Sequence, residues 1–107
     1  MAFYKENQLS QALDAANRAL TIEPEAVKPE IVGLKGAILL GLKDYVGAER
    51  TLKQAIALAP DNGKFHLALA ILYQRTGRHA AARTELQKAR DSGISVPVEI
   101  QQTLSSP

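Results

Sequence analysis

The residues AERTLKQAIALAP at positions 48–60 are the most informative part of the chain, because much of their pattern recurs elsewhere. Residues 12–24 read ALDAANRALTIEP, and residues 82–94 read ARTELQKARDSGI. Each run begins with an alanine and carries a second alanine seven positions later. Small residues seven positions apart lie on one face of an α-helix, where they let a neighbouring helix approach closely. A pattern that recurs after 36 and then 34 residues therefore predicts stacked helical repeats.

We call a position that recurs in each repeat unit a column. A second set of such columns precedes the alanines and predicts two helices in each unit. A large apolar residue stands nine positions before the first alanine, as Phe3, Leu39 and Tyr73. In the second and third units a small residue, Gly36 or Ala70, stands three positions earlier still. The turns between the two helices of a unit are predicted at residues 6–8, 42–44 and 76–78.

These columns resemble the tetratricopeptide repeat family. The resemblance implies an all-α fold, a right-handed α-solenoid of antiparallel helix pairs with about two and a half repeats and a C-terminal helix. It implies a single domain over residues 1–107: a partial repeat at 1–26, repeats at 29–62 and 63–94, and a capping or truncated helix at 95–105. The matching columns are Gly36, Leu39, Ala48, Leu52, Ala55 and Pro60 in the second unit, and Ala70, Tyr73, Ala82, Leu86 and Ala89 in the third.

Three departures from the family pattern accompany this match. Val32 and His66 stand where the family usually has an aromatic residue, and Lys35 stands where it usually has leucine. The junction at residues 25–28 carries two extra residues, which we interpret as a loop insertion because longer loops add little closure entropy.

Composition excludes several classes of function. The chain has no cysteine, which excludes disulfides and thiolate chemistry. His66 and His79 are the only histidines, and both fall in structural columns of the repeat. We find no HExxH motif, phosphate-binding loop or carboxylate cluster, so we assign no enzymatic activity, cofactor or metal. No apolar run reaches the ~18–20 residues that span a bilayer, and residues 1–15 lack a signal-peptide pattern. We assign no cellular compartment.

Both ends of the chain are predicted to fall inside repeats, which favours a fragment of a longer array. An incomplete repeat exposes an apolar helix face that a neighbour normally covers. The alternative is that a second copy of the chain covers this apolar face. The predicted self-association face consists of Leu9, Leu13 and Leu20.

A binding surface is implied by the resemblance, since five positions of each first helix face a concave groove in the family. Its centre is apolar and its rim basic, which favours a peptide with aliphatic anchors and an acidic flank. The alternative is that the last helix fills the groove. The predicted groove residues are Tyr4, Lys5, Gly33, Ala37, Leu40, Lys64, Leu67, Ile71, Gln74 and Arg75.

Gly33 and Ala37 replace the lysine and asparagine that the family uses to clamp C-terminal carboxylates, so that mode is not supported. Residues 63–94 carry a net charge of +4. The sequence offers no aromatic side chain on which bases could stack, so we interpret these charges as a solvated surface and disfavour nucleic acid as a partner. The leading hypothesis is a non-catalytic scaffold that binds a peptide or protein segment. The alternatives are an architectural spacer and a self-association module within a larger repeat protein, for example of a bacterial envelope or secretion assembly.

Overall fold

The computed structural model describes residues 2–22 and 28–96, and within them the chain forms five α-helices and no strand. The predicted all-α architecture is thus confirmed. For α1, side chains are described for residues 8–19. The helices are α1 (Ala2–Ile22), α2 (Pro29–Gly41), α3 (Tyr45–Leu58), α4 (Gly63–Arg75) and α5 (His79–Asp91).

Local signals in the sequence set the boundaries of the helices. The Oδ1 atom of Asp44 accepts a hydrogen bond from the backbone N–H of Gly47 at 3.1 Å and thereby caps α3. Asn62 caps α4 in the same way, accepting from Lys64 N–H at 3.0 Å. Gly77 follows α4 with a φ of +81°, a conformation that glycine adopts without steric cost. The turns predicted at residues 42–44 and 76–78 are therefore confirmed.

The turn predicted at residues 6–8 is wrong, since α1 runs unbroken from Ala2 to Ile22. The segment Glu6-Asn7-Gln8 contains neither glycine nor proline, and both Glu and Gln favour the helix. The helix predicted at 95–105 lies almost entirely outside the described residues; Ser95 and Val96 are described, and neither is helical.

Helix pairs pack through the alanine columns. Ala48 and Ala55 on α3, and Ala82 and Ala89 on α5, are completely buried. The helices α2 and α4 lie against these columns, with contacts between α2 and α3 and between α4 and α5. Gly36 makes the close approach possible, because a Cβ atom at that position would lie 2.7 Å from Leu52 Cγ. Small residues on both helices therefore set the distance between them.

In α1 a different face is buried. Ala12 and Ala19, which correspond to the buried alanines of α3 and α5, are exposed. Leu9, Leu13 and Ala16 instead lie on the packed side. Leu13 contacts the main apolar cluster, and a Cβ atom at Gly41 would lie 2.9 Å from a Leu9 methyl carbon. The buried members of this cluster are Leu39, Leu40, Ala48, Leu52, Leu69, Ala70, Leu72, Tyr73, Ala82, Leu86 and Val96.

These contacts correct part of the predicted self-association face. Leu9 and Leu13 are half-buried against the chain's own core, so they do not form an open surface. The reason is that α2 lies against the side of α1 that carries both leucines. The side chain of Leu20 lies outside the described residues, and self-association itself stays a prediction.

We predict that Gly36→Ala lowers the free energy of unfolding by about 1–3 kcal/mol, the usual cost of overpacking a core. The added methyl group would press on the branched carbon of the fully buried Leu52. Urea denaturation followed by circular dichroism measures the change. Gly41→Ala is the control, because its nearest neighbour is a terminal methyl of the half-buried Leu9, which can move. Equal stability of Gly36→Ala and the parent chain would contradict this packing.

Candidate functional site

An open depression with a volume of about 310 Å³ lies between α2 and α4. Each of the two helices is the first of its pair, so the depression bridges two consecutive units. We call it the α2–α4 groove. Its lining consists of Glu30, Gly33, Leu34 and Ala37 from α2, Asn62 before α4, and Lys64, Phe65 and Ala68 from α4.

The floor of the groove is a contact between Gly33 and Phe65. A Cβ atom at Gly33 would overlap the Phe65 ring, so only glycine lets the ring lie against the backbone of α2. Phe65 is buried and belongs to a small apolar cluster with Val32 and Ala55. The ring thus joins the second unit to the third and closes the bottom of the groove.

The wall above this floor is apolar and accessible. Leu34 is 55% exposed, the larger part of its side chain facing solvent. Ala37 is exposed and Ala68 is half-buried. Single exposed leucines are common on protein surfaces. Here the leucine borders a concave surface with two alanines and an aromatic ring, an arrangement that can hold an aliphatic side chain.

The rim of the groove carries both signs of charge. Glu30 lies on α2 and Lys64 lies on α4, and both are exposed. A segment lying in the groove therefore meets a carboxylate on one side and an ammonium group on the other. Such rim charges orient a ligand more than they add affinity.

The structure brings together three of the predicted groove residues and separates the others. Gly33, Ala37 and Lys64 line the α2–α4 groove. Leu67 and Ile71 are half-buried against the main apolar cluster. The remaining predicted positions are Gln74, which is half-buried, Arg75, which is exposed, and Tyr4 and Lys5, whose side chains lie outside the described residues.

Leu40 requires a correction, because it is not part of an open wall. Its side chain is only 7% exposed and belongs to the main apolar cluster. The cause is α1, which lies against this end of α2: Leu9 contacts Gly41, and Leu13 packs onto the same cluster. The continuous aliphatic wall expected from the sequence is therefore absent at this position.

Sequence reasoning missed two main components of the groove, Leu34 and Phe65. Leu34 follows Gly33, which the repeat pattern assigns to the groove. Phe65 precedes His66, which the pattern assigns to the packing within the helix pair. A signal for Phe65 was present. The aromatic side chain expected in the column of His66 stands one residue earlier.

His66 is held inside the core by two hydrogen bonds. Its Nε2 donates to the carbonyl oxygen of Pro60 at 2.7 Å, since a carbonyl can only accept. Its Nδ1 lies 2.8 Å from Oε1 of the buried Glu85. The Nδ1 of His79 lies 2.7 Å from Gln74 Oε1. Both histidines thus have structural partners, as predicted. In the described part of the chain, no three His, Asp or Glu side chains form a metal-binding group.

A second depression, about 420 Å³ in volume, lies between the α3–α4 turn and the end of α5. Its polar side chains bond mainly within α5. Lys88 Nζ lies 3.2 Å from Glu85 Oε2, and Ser92 donates to the carbonyl oxygen of Ala89 at 2.6 Å. Asp91 accepts a hydrogen bond from Gln87. We therefore regard this depression as part of the helix-end structure rather than as a binding site.

A charged cluster around Glu49 ties α3 to the turn between α4 and α5. Arg78 donates to both carboxylate oxygens of Glu49, at 3.2 and 2.6 Å, and its guanidinium lies 4.4 Å from the centre of the Tyr73 ring. Lys53 lies 3.0 Å from Glu49, and Tyr73 donates to it at 3.3 Å. Tyr73 is buried by this packing, which leaves its ring no open face for base stacking.

This cluster changes the ionisation of its members. The hydrogen bond from Arg78 is the main cause that lowers the pKa of Glu49 from 4.5 to about 2. Burial, and then the charge of Glu49, raise the pKa of Tyr73. Because the pKa of Glu49 is lower in the folded state, its ionised form stabilises the fold above pH 4.5, and this stabilisation is lost as the pH falls toward 2.

We predict that Glu49→Gln lowers the free energy of unfolding at neutral pH, and that its difference from the parent chain shrinks between about pH 5 and pH 2. Urea titrations over this pH range measure the difference. Glu30→Gln, which removes an exposed carboxylate on α2, serves as the control for a general charge effect. A Glu49→Gln difference that does not change with pH would contradict the role assigned to Arg78.

Comparisons with known proteins agree with this architecture. A family model described as tetratricopeptide repeat matches residues 39–93. A protein O-mannosyl-transferase of Caenorhabditis elegans is 33% identical over 79 residues, which make up 74% of this chain and 11% of that protein. The chain therefore spans only about a tenth of that relative. No solved structure matches. Among the described helices, none combines the length and hydropathy that a membrane span requires.

Proposed function

Because the chain belongs to the tetratricopeptide repeat family, we propose that it is a non-catalytic scaffold that binds a polypeptide segment in the α2–α4 groove. Family membership supports a protein-interaction module in general. The observation that carries the specific proposal is an exposed leucine, Leu34, beside a concave surface whose floor is the ring of Phe65. Binding a suitable side chain there would cover apolar surface that is otherwise in contact with water.

The shape of the groove defines the ligand that we expect. A volume of about 310 Å³ corresponds to the lower end of small-ligand sites and suits one or two aliphatic side chains. The aliphatic anchor would lie over Gly33 and Phe65, against Leu34. An acidic residue of the ligand would face Lys64, and a basic residue would face Glu30 on the opposite helix.

The apolar part of this site is shorter than the sequence suggested. Leu40 is buried, and Leu67 and Ile71 are half-buried against the core. The proposed contact is therefore limited to residues 30–37 of α2 and residues 62–68 at the start of α4. A short segment with a central anchor fits this arrangement better than a long helix with several anchors.

The test requires a defined ligand, which a library of random peptides displayed on phage can supply. The selected peptide is labelled, and its dissociation constant for the purified protein is measured by fluorescence anisotropy. We expect the selected peptides to share an aliphatic residue flanked by an acidic one. We expect Leu34→Glu to weaken their binding at least tenfold, because it places a charge beside the apolar floor.

The chain offers a matched control for this variant. Leu58 is 51% exposed on α3, close to the 55% of Leu34, but does not line the groove. Leu58→Glu should bind like the parent chain, and circular dichroism should show the same helix content for both variants. If Leu34→Glu and the parent chain bind the selected peptides equally, the groove is not the site. That result would favour the architectural spacer.

A further inference from the structure

The pair Asn62-Gly63 joins the α3–α4 turn to the first residue of α4, and each of the two residues has a structural role there. The Oδ1 atom of Asn62 caps α4 by accepting a hydrogen bond from the backbone N–H of Lys64 at 3.0 Å. Gly63 is buried, and a Cβ atom at this position would overlap the Oγ atom of Ser92 at the end of α5. The packing of α4 on the end of α5 therefore places a glycine directly after an asparagine.

This combination puts a side-chain carboxamide beside a backbone nitrogen that it is able to meet. Gly63 is the first residue of α4, and the N–H groups of the first turn of a helix have no acceptor within that helix. Glycine has no Cβ atom that would keep the preceding side chain away from its nitrogen. The hydrogen bond from Lys64 N–H draws electron density from the carboxamide of Asn62, which makes its Cγ atom more electrophilic. An electrophilic carbon and a nucleophilic nitrogen are thus held next to each other.

We propose that Asn62 is a site of spontaneous covalent modification, at which the carboxamide becomes a carboxylate. The backbone nitrogen of Gly63 attacks the Cγ atom of Asn62 and forms a cyclic succinimide. The carboxamide nitrogen takes up the proton of the Gly63 amide and leaves as ammonia. Water then opens the ring at either carbonyl carbon, which gives aspartate or isoaspartate. The reaction consumes one water molecule and releases one ammonia molecule, and it requires no oxidant, reductant or cofactor.

The structure also sets the pace of this reaction. Asn62 has a φ of −81° and a ψ of 102°, and its Oδ1 atom is held by Lys64 N–H. The first turn of α4 must therefore open before the side chain turns onto the Gly63 nitrogen, and helix ends open at a lower free energy than helix centres. Asn17, the other asparagine whose side chain is described, lies within α1 and precedes an arginine. Both features oppose the same ring closure at Asn17, so we expect the reaction to be selective for Asn62.

The modification changes the charge of the α2–α4 groove, a consequence that rests on the function proposed above. Asn62 lines the groove together with Lys64 and with Glu30 on the other helix. A carboxylate at position 62 would offset the charge of Lys64 and would repel an acidic residue of the ligand. Aspartate still caps a helix, and its charge suits a helix N-terminus, whereas isoaspartate lengthens the backbone and misplaces the cap. The site therefore provides a slow and irreversible change of ligand preference.

Peptide mapping by mass spectrometry measures the modification directly. The purified protein is incubated at mildly alkaline pH, and samples taken over several weeks are digested with trypsin and compared with the protein before incubation. Cleavage after Lys53 and Lys64 gives the fragment 54–64, in which Asn62 is the only asparagine. Asn17, in the fragment 6–18, is the internal reference. We expect Asn62 to convert at least tenfold faster than Asn17 and to give both aspartate and isoaspartate.

Asn62→Ser is the matched control, because serine keeps a capping oxygen but has no carboxamide. Isoaspartate in the whole protein, measured by enzymatic methylation, should stay at its initial level in this variant, and circular dichroism should show the same helix content as in the parent chain. Equal conversion of Asn62 and Asn17 would overturn the proposal. The same isoaspartate content in Asn62→Ser and the parent chain after incubation would overturn it as well.

The change of ligand preference has its own test. Peptides selected for the groove and carrying an acidic flank should bind Asn62→Asp about threefold more weakly than Asn62→Ser, the effect of one exposed ion pair. Equal binding by the two variants would refute the effect on the ligand. Failure of the groove itself is recognised separately, because it appears as equal binding by Leu34→Glu and the parent chain and leaves the conversion of Asn62 unchanged.

Discussion

The contact between the backbone of Gly33 and the ring of Phe65 is a central packing constraint between the second and third helix pairs. It lets α2 and α4 approach each other, and so joins one helix pair to the next. The same ring forms the floor of the α2–α4 groove. A larger residue at position 33 would separate the helices and remove the floor together. Stacking of the repeats and the shape of the proposed binding surface therefore have one physical origin.

Polar interactions fix the register of the helices that the apolar contacts bring together. Small residues set how closely helices approach, but apolar contacts alone allow helices to slide. The bonds of His66 to Pro60 and Glu85 link the α3–α4 turn, α4 and α5. The cluster of Glu49 with Arg78 and Tyr73 links α3 to the end of α4. These bonds require specific geometry, and they favour one register of the second pair on the third.

The helix pairs and two of the turns could be predicted from the sequence, because alanine columns and the Gly77 turn are local signals. The turn at residues 6–8 was predicted from alignment of the columns alone, without a residue that stops a helix. Leu40 was assigned to the wall of the groove, but its exposure depends on how far α1 covers this end of α2. Leu34 and Phe65 were missed for a similar reason. The residues that line a groove depend on the distance between helices, and the repeat pattern does not specify that distance.

The contact between the Phe65 ring and the backbone of Gly33 can be tested by proton NMR. Nuclear Overhauser effects are expected between the Gly33 Hα protons and the Phe65 ring protons. Ring-current shifts of those Hα resonances are also expected, and they should disappear in Phe65→Leu. A folded protein in which the Gly33 Hα protons show neither the cross-peaks nor the shifts would contradict it.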